Sequence, residues 1–306
     1  MGARAIYING GTGFIGRALC AALLNVERND QPQLFVQTRM PGHHRHRAIT
    51  FVSAYADLPD GIAPEVIINL AGAPIADNRW SESQKKLLLN SRIKVTEGLL
   101  RSIQKKGHRP EVLLNASAIG YYGISDSASL TEQAPSGGGF AADLCQQWES
   151  AAGNFEALGT RVCIMRIGVV LGERGGVLAK LLPIYRLGMG GPIGTGKQWF
   201  SWIHIEDLVN LFIEAIRNPT YRGAINCTAP NPVRQIEFAR QLGGFLRRPT
   251  CFRTPATVLK FIYGQMAEEL LISGQGVVPA FALAQKFKFK FPQLNQALQQ
   301  ILLARH

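Results

Sequence analysis

The chain has little with which to bind a metal or cross-link itself. Its five cysteines (Cys20, Cys145, Cys163, Cys227 and Cys251) are scattered, with no C-x-x-C pair. That pattern excludes the usual zinc spacing and a disulfide scaffold, and it fits free thiols in a reducing compartment. No apolar run reaches the roughly 18–20 residues that a membrane helix needs. The beginning of the chain lacks an apolar stretch followed by a cleavage site, and Ile6 stands where a myristoylation motif on Gly2 would want Ser or Thr. A cytoplasmic protein with no membrane partner is therefore expected. Acids are also scarce, 21 Asp and Glu against 33 Lys and Arg, for a formal charge of +12. Such an excess raises nucleic acid as a partner. The bases are dispersed, however, apart from one cluster at Arg39–Arg47, and no helix interleaves them with aromatics. No nucleic-acid partner is expected, and the charge suits anionic small molecules instead. Internal repeats and low-complexity tracts are missing too.

What is present is the balance of an ordinary globular enzyme, 306 residues of which 46% are hydrophobic and 18% charged. Apolar runs at about 4–9, 33–38, 65–70, 111–116 and 161–167 read as buried parallel strands, with helical patterns between them. Ser81 with Gln84 three residues on is a capping box that starts a long helix, and a second helix is expected around 141–158. The stretch RLGMGGPIGTGKQ (186–198) is a glycine-rich loop, followed by an amphipathic helix over Glu206–Arg217. Beyond Arg247-Arg248-Pro249 come a helix near 256–271, a Gly/Pro break at 274–279 and a final helix from Pro292. This alternation predicts an α/β fold, a Rossmann-type doubly wound parallel sheet. The expected division is a dinucleotide-binding domain over 1–246, with substrate-side insertions at about 172–202, and a smaller α/β domain over 247–306.

The first strand, Ala5-Ile6-Tyr7-Ile8, runs into Asn9-Gly10-Gly11-Thr12-Gly13-Phe14-Ile15-Gly16, and a helix follows from Arg17. Strand, glycine turn and helix in that order make a dinucleotide fingerprint. Gly10 permits the tight turn, Gly13 lets a pyrophosphate approach the backbone, and Gly16 lets the helix lie close to the sheet. The helix N-terminus then receives the phosphates. The second strand ends in Thr38-Arg39. An NAD site would place an acid there for the ribose hydroxyl, whereas an arginine grips a 2′-phosphate, so NADP(H) is the expected cofactor. The basic stretch His43–Arg47 reads as a solvated loop, since no acid or cysteine adjoins it to make a metal site.

With GGTGFIG as its first loop, the chain resembles the extended short-chain dehydrogenase/reductase superfamily. It is most similar to that superfamily's "epimerase family" branch, which carries a small C-terminal domain. The resemblance rests on Asn69-Leu70-Ala71-Gly72, Arg79-Trp80, Ser91-Arg92, Ser117 through Gly123, Trp148-Glu149, Arg166 through Gly172, the 186–198 loop and Trp202-Ile203-His204. It implies cofactor contacts at Thr12, Gly13, Phe14, Ile15, Thr38, Arg39, Leu70, Ala71, Arg92 and Val170, with Gly72 in the same strand-end turn. Members of the superfamily transfer hydride with a Ser and a Tyr-x-x-x-Lys pair one helical turn apart, the ammonium favouring the tyrosinate as base. Ser117 stands in the expected place. The pair does not: none of the seven tyrosines has Lys four positions later.

Tyr121 and Tyr122 could supply a phenol near the nicotinamide or simply pack the core. His204 is a base of suitable pKa or a packed histidine, and Asp143 a candidate acid or a helix-start residue. The expected function is an NADP(H)-dependent oxidoreductase or nucleotide-sugar-epimerase-like enzyme acting on a small molecule in the crevice between the two units. Its rival is a redox-sensing or regulatory protein that binds NADP(H) without turnover. The substrate and oligomeric state are not encoded legibly.

Overall fold

The computed structural model describes residues 4–25, 31–126, 129–173 and 175–303. Met1 and Gly2, read above for acylation, lie outside them. Seven parallel strands form the main sheet: β1 (Ala5–Asn9), β2 (Gln33–Gln37), β3 (Ile49–Val52), β4 (Val66–Asn69), β5 (Val112–Ala118), β6 (Arg161–Ile167) and, numbered after the short strands described below, β10 (Gly223–Cys227). Their order is β3-β2-β1-β4-β5-β6-β10, with every neighbour parallel. The order reverses between β1 and β4, and at such a switch point a crevice opens beyond the carboxyl ends of the strands.

Alternate residues of these strands go to opposite faces, and both faces are covered. Ile6, Ile8, Val36, Ile68 and Leu114 pack against α1 (Phe14–Leu24) and α6 (Ile205–Arg217). Tyr7, Phe35, Ile67 and Leu113 pack on the other face against α3 (Ile93–Lys105) and α4 (Phe140–Gly153). Five strands, α1, α4 and α6 lie where the sequence places them. β3 and β10 were not foreseen: each is a short strand at one edge of the sheet.

The long helix from Ser81 is two helices, α2 (Glu82–Asn90) and α3. Ser81 does cap the first, its Oγ accepting from Gln84 N at 3.2 Å. The break comes at Ser91, whose Oγ accepts from Ala73 N at 3.0 Å and donates to Leu88 O at 3.0 Å. A tertiary contact thus ends the helix where no local signal would.

A third core lies beside the sheet. It is built from β7 (Val169–Gly172), α5 (Gly176–Arg186), the two-residue strand β8 (Trp199–Phe200), β9 (Trp202–His204), β11 (Val233–Arg234) and α7 (Gln235–Phe245), and is closed by the last helix. The remaining segment corrects the expectation of an α/β tail. Among the described residues it is helical: α8 (Ala256–Tyr263), α9 (Gln265–Ala267), a π-helical turn over Glu268–Ile272, α10 (Ala280–Ala284) and α11 (Leu294–Leu303). Its extended stretches make only single bridges, Leu130 with Val277 and Ile193 with Thr254. Phe291, Leu294, Leu298 and Ile301 are buried in the third core, so this segment completes the molecule's interior.

Candidate functional site

The crevice begins at the glycine turn. Gly10 has φ +81°, and a Cβ there would stand 2.8 Å from the Leu70 carbonyl, so only glycine fits against the loop that leaves β4. A Cβ on Gly16 would run into Gly10 O and Gly11 Cα, which is the close helix–turn approach expected of it. Gly13 is exposed at the N-cap of α1 and would meet only Gly10 O. The first turn of α1 therefore opens toward the crevice with room for an anion. Phe14 differs in kind from its neighbours. Its ring is covered by Gly172, Gly175 and Gly176, where any side chain would collide with it, so it anchors the turn after β7, and Ile15 packs into the first core.

Beyond β2, Thr38 N donates to Val52 O at 2.9 Å, and Arg39 is exposed. The His43–Arg47 stretch is more than a solvated loop. His44 stacks on Phe51 at 5.1 Å, and His44, Arg45 and His46 line a cavity of ≈ 270 Å³ together with Gly11, Thr12 and Arg17. Loop closure brings these bases beside the glycine turn, which sequence spacing could not show. No group of His, Cys, Asp or Glu suited to a metal occurs among the described residues.

A row of carboxamides crosses the sheet at the same level: Gln37, Asn9, Asn69 and Asn115 are register partners. Asn69 Nδ2 donates to Asn115 Oδ1 at 2.7 Å and to Thr96 Oγ1 at 2.9 Å, and its Oδ1 accepts from Ala71 N at 3.4 Å. The row thereby holds the Leu70–Gly72 turn. Arg92 lies behind that turn: a Cβ on Gly72 would come 2.9 Å from its guanidinium carbon. Its donors go to Ala73 O at 3.0 Å and Leu88 O at 3.2 Å, and it lies over the Trp148 ring. Burial lowers its pKa, with the charge of Cys145 working the other way. Val170 is half-buried on β7 and packs on the first core.

Ser117, Tyr121 and Tyr122 do come together, around a residue the sequence reading passed over. Ser117 is 3% exposed and its Oγ donates to Glu149 Oε1 at 2.6 Å. Glu149 in turn forms a bidentate pair with Arg166, at 3.0 and 2.8 Å. Arg166 also donates to the Tyr122 hydroxyl at 3.0 Å, and its guanidinium lies 3.4 Å from the centre of the Tyr121 ring. The Tyr122 hydroxyl itself donates to Asn226 Oδ1 at 2.6 Å. Burial raises the Tyr122 phenol above its ordinary value, against the pull of Arg166. For Arg166 burial acts to lower the pKa, but the hydrogen bonds and charge of Glu149 prevail and raise it. Helix α4 contains neither Tyr nor Lys, and it carries Cys145 and Glu149 one turn apart. Cys145 Sγ donates to Ala118 O at 3.6 Å, and burial pushes its pKa to about 11. The clue to this cluster was an arginine inside the buried strand RVCIMRI, since a charge at such a position demands an acid.

His204 is 1% exposed and caps α6: its Nδ1 accepts from Glu206 N at 3.1 Å and Nε2 pairs with Gln300 at 2.9 Å. It is the packed histidine of the two readings. Asp143 is exposed in the first turn of α4. The N-terminus of that helix is instead capped from the helical tail, Glu269 accepting from Phe140 N at 3.1 Å and Ala141 N at 2.8 Å.

Residues 6–227 match the NAD dependent epimerase/dehydratase family, and residues 254–301 match a domain of unknown function, DUF1731. The chain is 40% identical over 308 residues to "Epimerase family protein SDR39U1 homolog, chloroplastic" of Arabidopsis thaliana, covering 97% of this chain and 86% of that one. It is 36% identical over 308 residues to "Epimerase family protein YfhF" of Bacillus subtilis, covering 98% of each. Among solved structures it is similar to the human epimerase family protein SDR39U1, crystallised with NADPH. The TM-score is 0.86 at 33% identity, over 98% of this chain and 100% of the other.

Proposed function

The chain belongs to the NAD dependent epimerase/dehydratase family, and on that premise we propose that it binds NADP(H) and acts as an oxidoreductase or epimerase-like enzyme on a small molecule. The observation that carries the cofactor half is the glycine turn facing a basic exit from β2. Gly10 and Gly16 admit no side chain, Gly13 leaves the start of α1 open, Arg45 lines the cavity beside the turn, and the exposed Arg39 just after β2 would grip a 2′-phosphate. The human relative crystallised with NADPH supports the same choice. Thr12, Gly13 and the α1 N-terminus would hold the pyrophosphate, and Leu70, Ala71 and Gly72 the adenosine side of the crevice. When bound, the nicotinamide supplies a hydride donor or acceptor.

The chain's own contribution to chemistry is unusual. With no Tyr-x-x-x-Lys pair, the groups at the end of β5 are Ser117, Tyr121 and Tyr122, and two of their three hydroxyls are committed to Glu149 and Asn226. Tyr121 is the remaining phenol, its ring face lying against the Arg166 guanidinium at 3.4 Å. We assign it the proton-transfer role in an enzyme. The rival, a sensor that binds without turnover, draws on the same commitment of Ser117 and Tyr122.

Titrating the purified protein with NADPH and NADH tests the cofactor half. NADPH should bind more tightly, and Arg39→Ala should lower NADPH affinity by about 1–2 kcal/mol while leaving NADH nearly unchanged. Equal affinities, or none, would overturn it. Turnover on a panel of sugar nucleotides, ketones and aldehydes separates the enzyme from the sensor, with Tyr121→Phe abolishing activity in the first case.

A further inference from the structure

Two stretches of the chain contain no acid at all: residues 174–205 carry Arg174, Lys180, Arg186 and Lys197, and residues 238–267 carry Arg240, Arg247, Arg248, Arg253 and Lys260. The fold lays parts of them side by side. Thr254 N donates to Pro192 O at 3.0 Å, Gly194 N to Thr254 O at 2.9 Å, and Gly188 faces the Pro249 ring. Along the joined edge stand Leu187, Met189, Phe252, Val258, Phe261 and Ile262, all exposed, Phe261 to 84%. Helix α8 has no buried residue. Of the cations on this face, Lys180 pairs with Asp77 and Lys260 with Glu268. Arg186, Arg247, Arg248 and Arg253 form no ion pair among the described residues.

We propose that this face docks the protein on an anionic lipid surface. Exposed apolar side chains, with arginines beside them in sequence that have no ion pair among the described residues, match the boundary between headgroups and acyl chains, where apolar burial and attraction to anionic lipid add together. Because these side chains stand exposed, they suit a deformable bilayer better than a rigid partner's groove. Exposed large apolar side chains grouped along one edge, rather than scattered singly, mark an interaction surface. The expectation of no membrane partner rested on the lack of a spanning segment, and no helix among the described residues could span a membrane. Lying on a membrane needs none. Arg79 Nη1 donates to Phe261 O at 3.3 Å, so docking would also set the loop after β4 at the bilayer edge.

Cosedimentation of the full chain with vesicles tests this. The protein should pellet with phosphatidylglycerol–phosphatidylcholine vesicles and stay in solution with phosphatidylcholine alone, and about 0.5 M salt should release it. Phe252→Ser with Phe261→Ser, and separately Arg247→Glu with Arg248→Glu, should each lower partition about tenfold or more without changing the melting temperature. Equal binding to both vesicle types overturns the proposal. So does failure to bind either, and so does a concentration-dependent dimer that the Phe variants dissociate, since the occupant would then be a second copy.

Discussion

At the scale of single residues, the Glu149–Arg166 pair decides more than any group in the crevice. Both side chains are nearly buried, at 13% and 5% exposure. Arg166→Met would leave Glu149 charged in the interior with one hydroxyl for company. It should cost about 3–5 kcal/mol in urea unfolding, against a smaller loss for Glu149→Gln, which keeps one acceptor for Arg166. Equal, small losses would show that solvent reaches the pair. His204 makes a second prediction. Burial lowers its pKa below the ordinary 6.5, with Gln300 and Glu206 opposing and Lys290 reinforcing the shift. Between the folded value and 6.5 the unfolded chain binds more protons, so stability rises with pH across that window and is lost as pH falls through it. The melting temperature of the wild type should drop on acidification below 6.5, and the drop should be shallower in His204→Asn, which keeps a capping side chain. If the two curves run parallel, His204 does not titrate as described.

At the scale of elements, the β1–turn–α1 unit was readable because its determinants are local: an apolar strand, glycines at fixed offsets and a helix within twelve positions. Gly16→Ala tests how tight it is. The added methyl group meets backbone on two sides, so the turn must shift. A stability loss of about 1–3 kcal/mol is expected, together with loss of NADPH affinity; unchanged calorimetric and binding curves would contradict the packing. The α2–α3 break and the Ser117–Glu149–Arg166 cluster were not readable, since each depends on residues far apart in the chain. Ser91 meets Ala73 across a loop, and Arg166 meets Tyr122 only because β5 and β6 are neighbours. β3 escaped notice because Ile-Thr-Phe-Val is a brief run after a basic stretch. The tail was expected to be an α/β unit, but its extended pieces find only single bridges among the described residues, so no second sheet forms there.

At the scale of the whole molecule, carboxylates join the tail to the sheet and its helices, Asp207 buried and Glu132 and Glu269 half-buried. Asp207 of α6 accepts from Lys290 N at 2.7 Å and Phe291 N at 2.9 Å, and Glu132 accepts from Asn226 N and Phe281 N. Glu269 reaches back to α4. The apolar side of the same junction is α11, and Leu298→Ala should cost about 2–5 kcal/mol, measured by denaturant titration. A loss below 1 kcal/mol would mean that the third core closes without this helix. The dependence has a consequence for how the chain is made. Phe291, Leu294 and Leu298 emerge from the ribosome after every strand of the sheet, so Trp202, Phe238 and Leu242 must wait, uncovered, for partners synthesised later. The nascent protein thus passes through an interval of exposed apolar surface in which chaperone engagement or aggregation competes with completion.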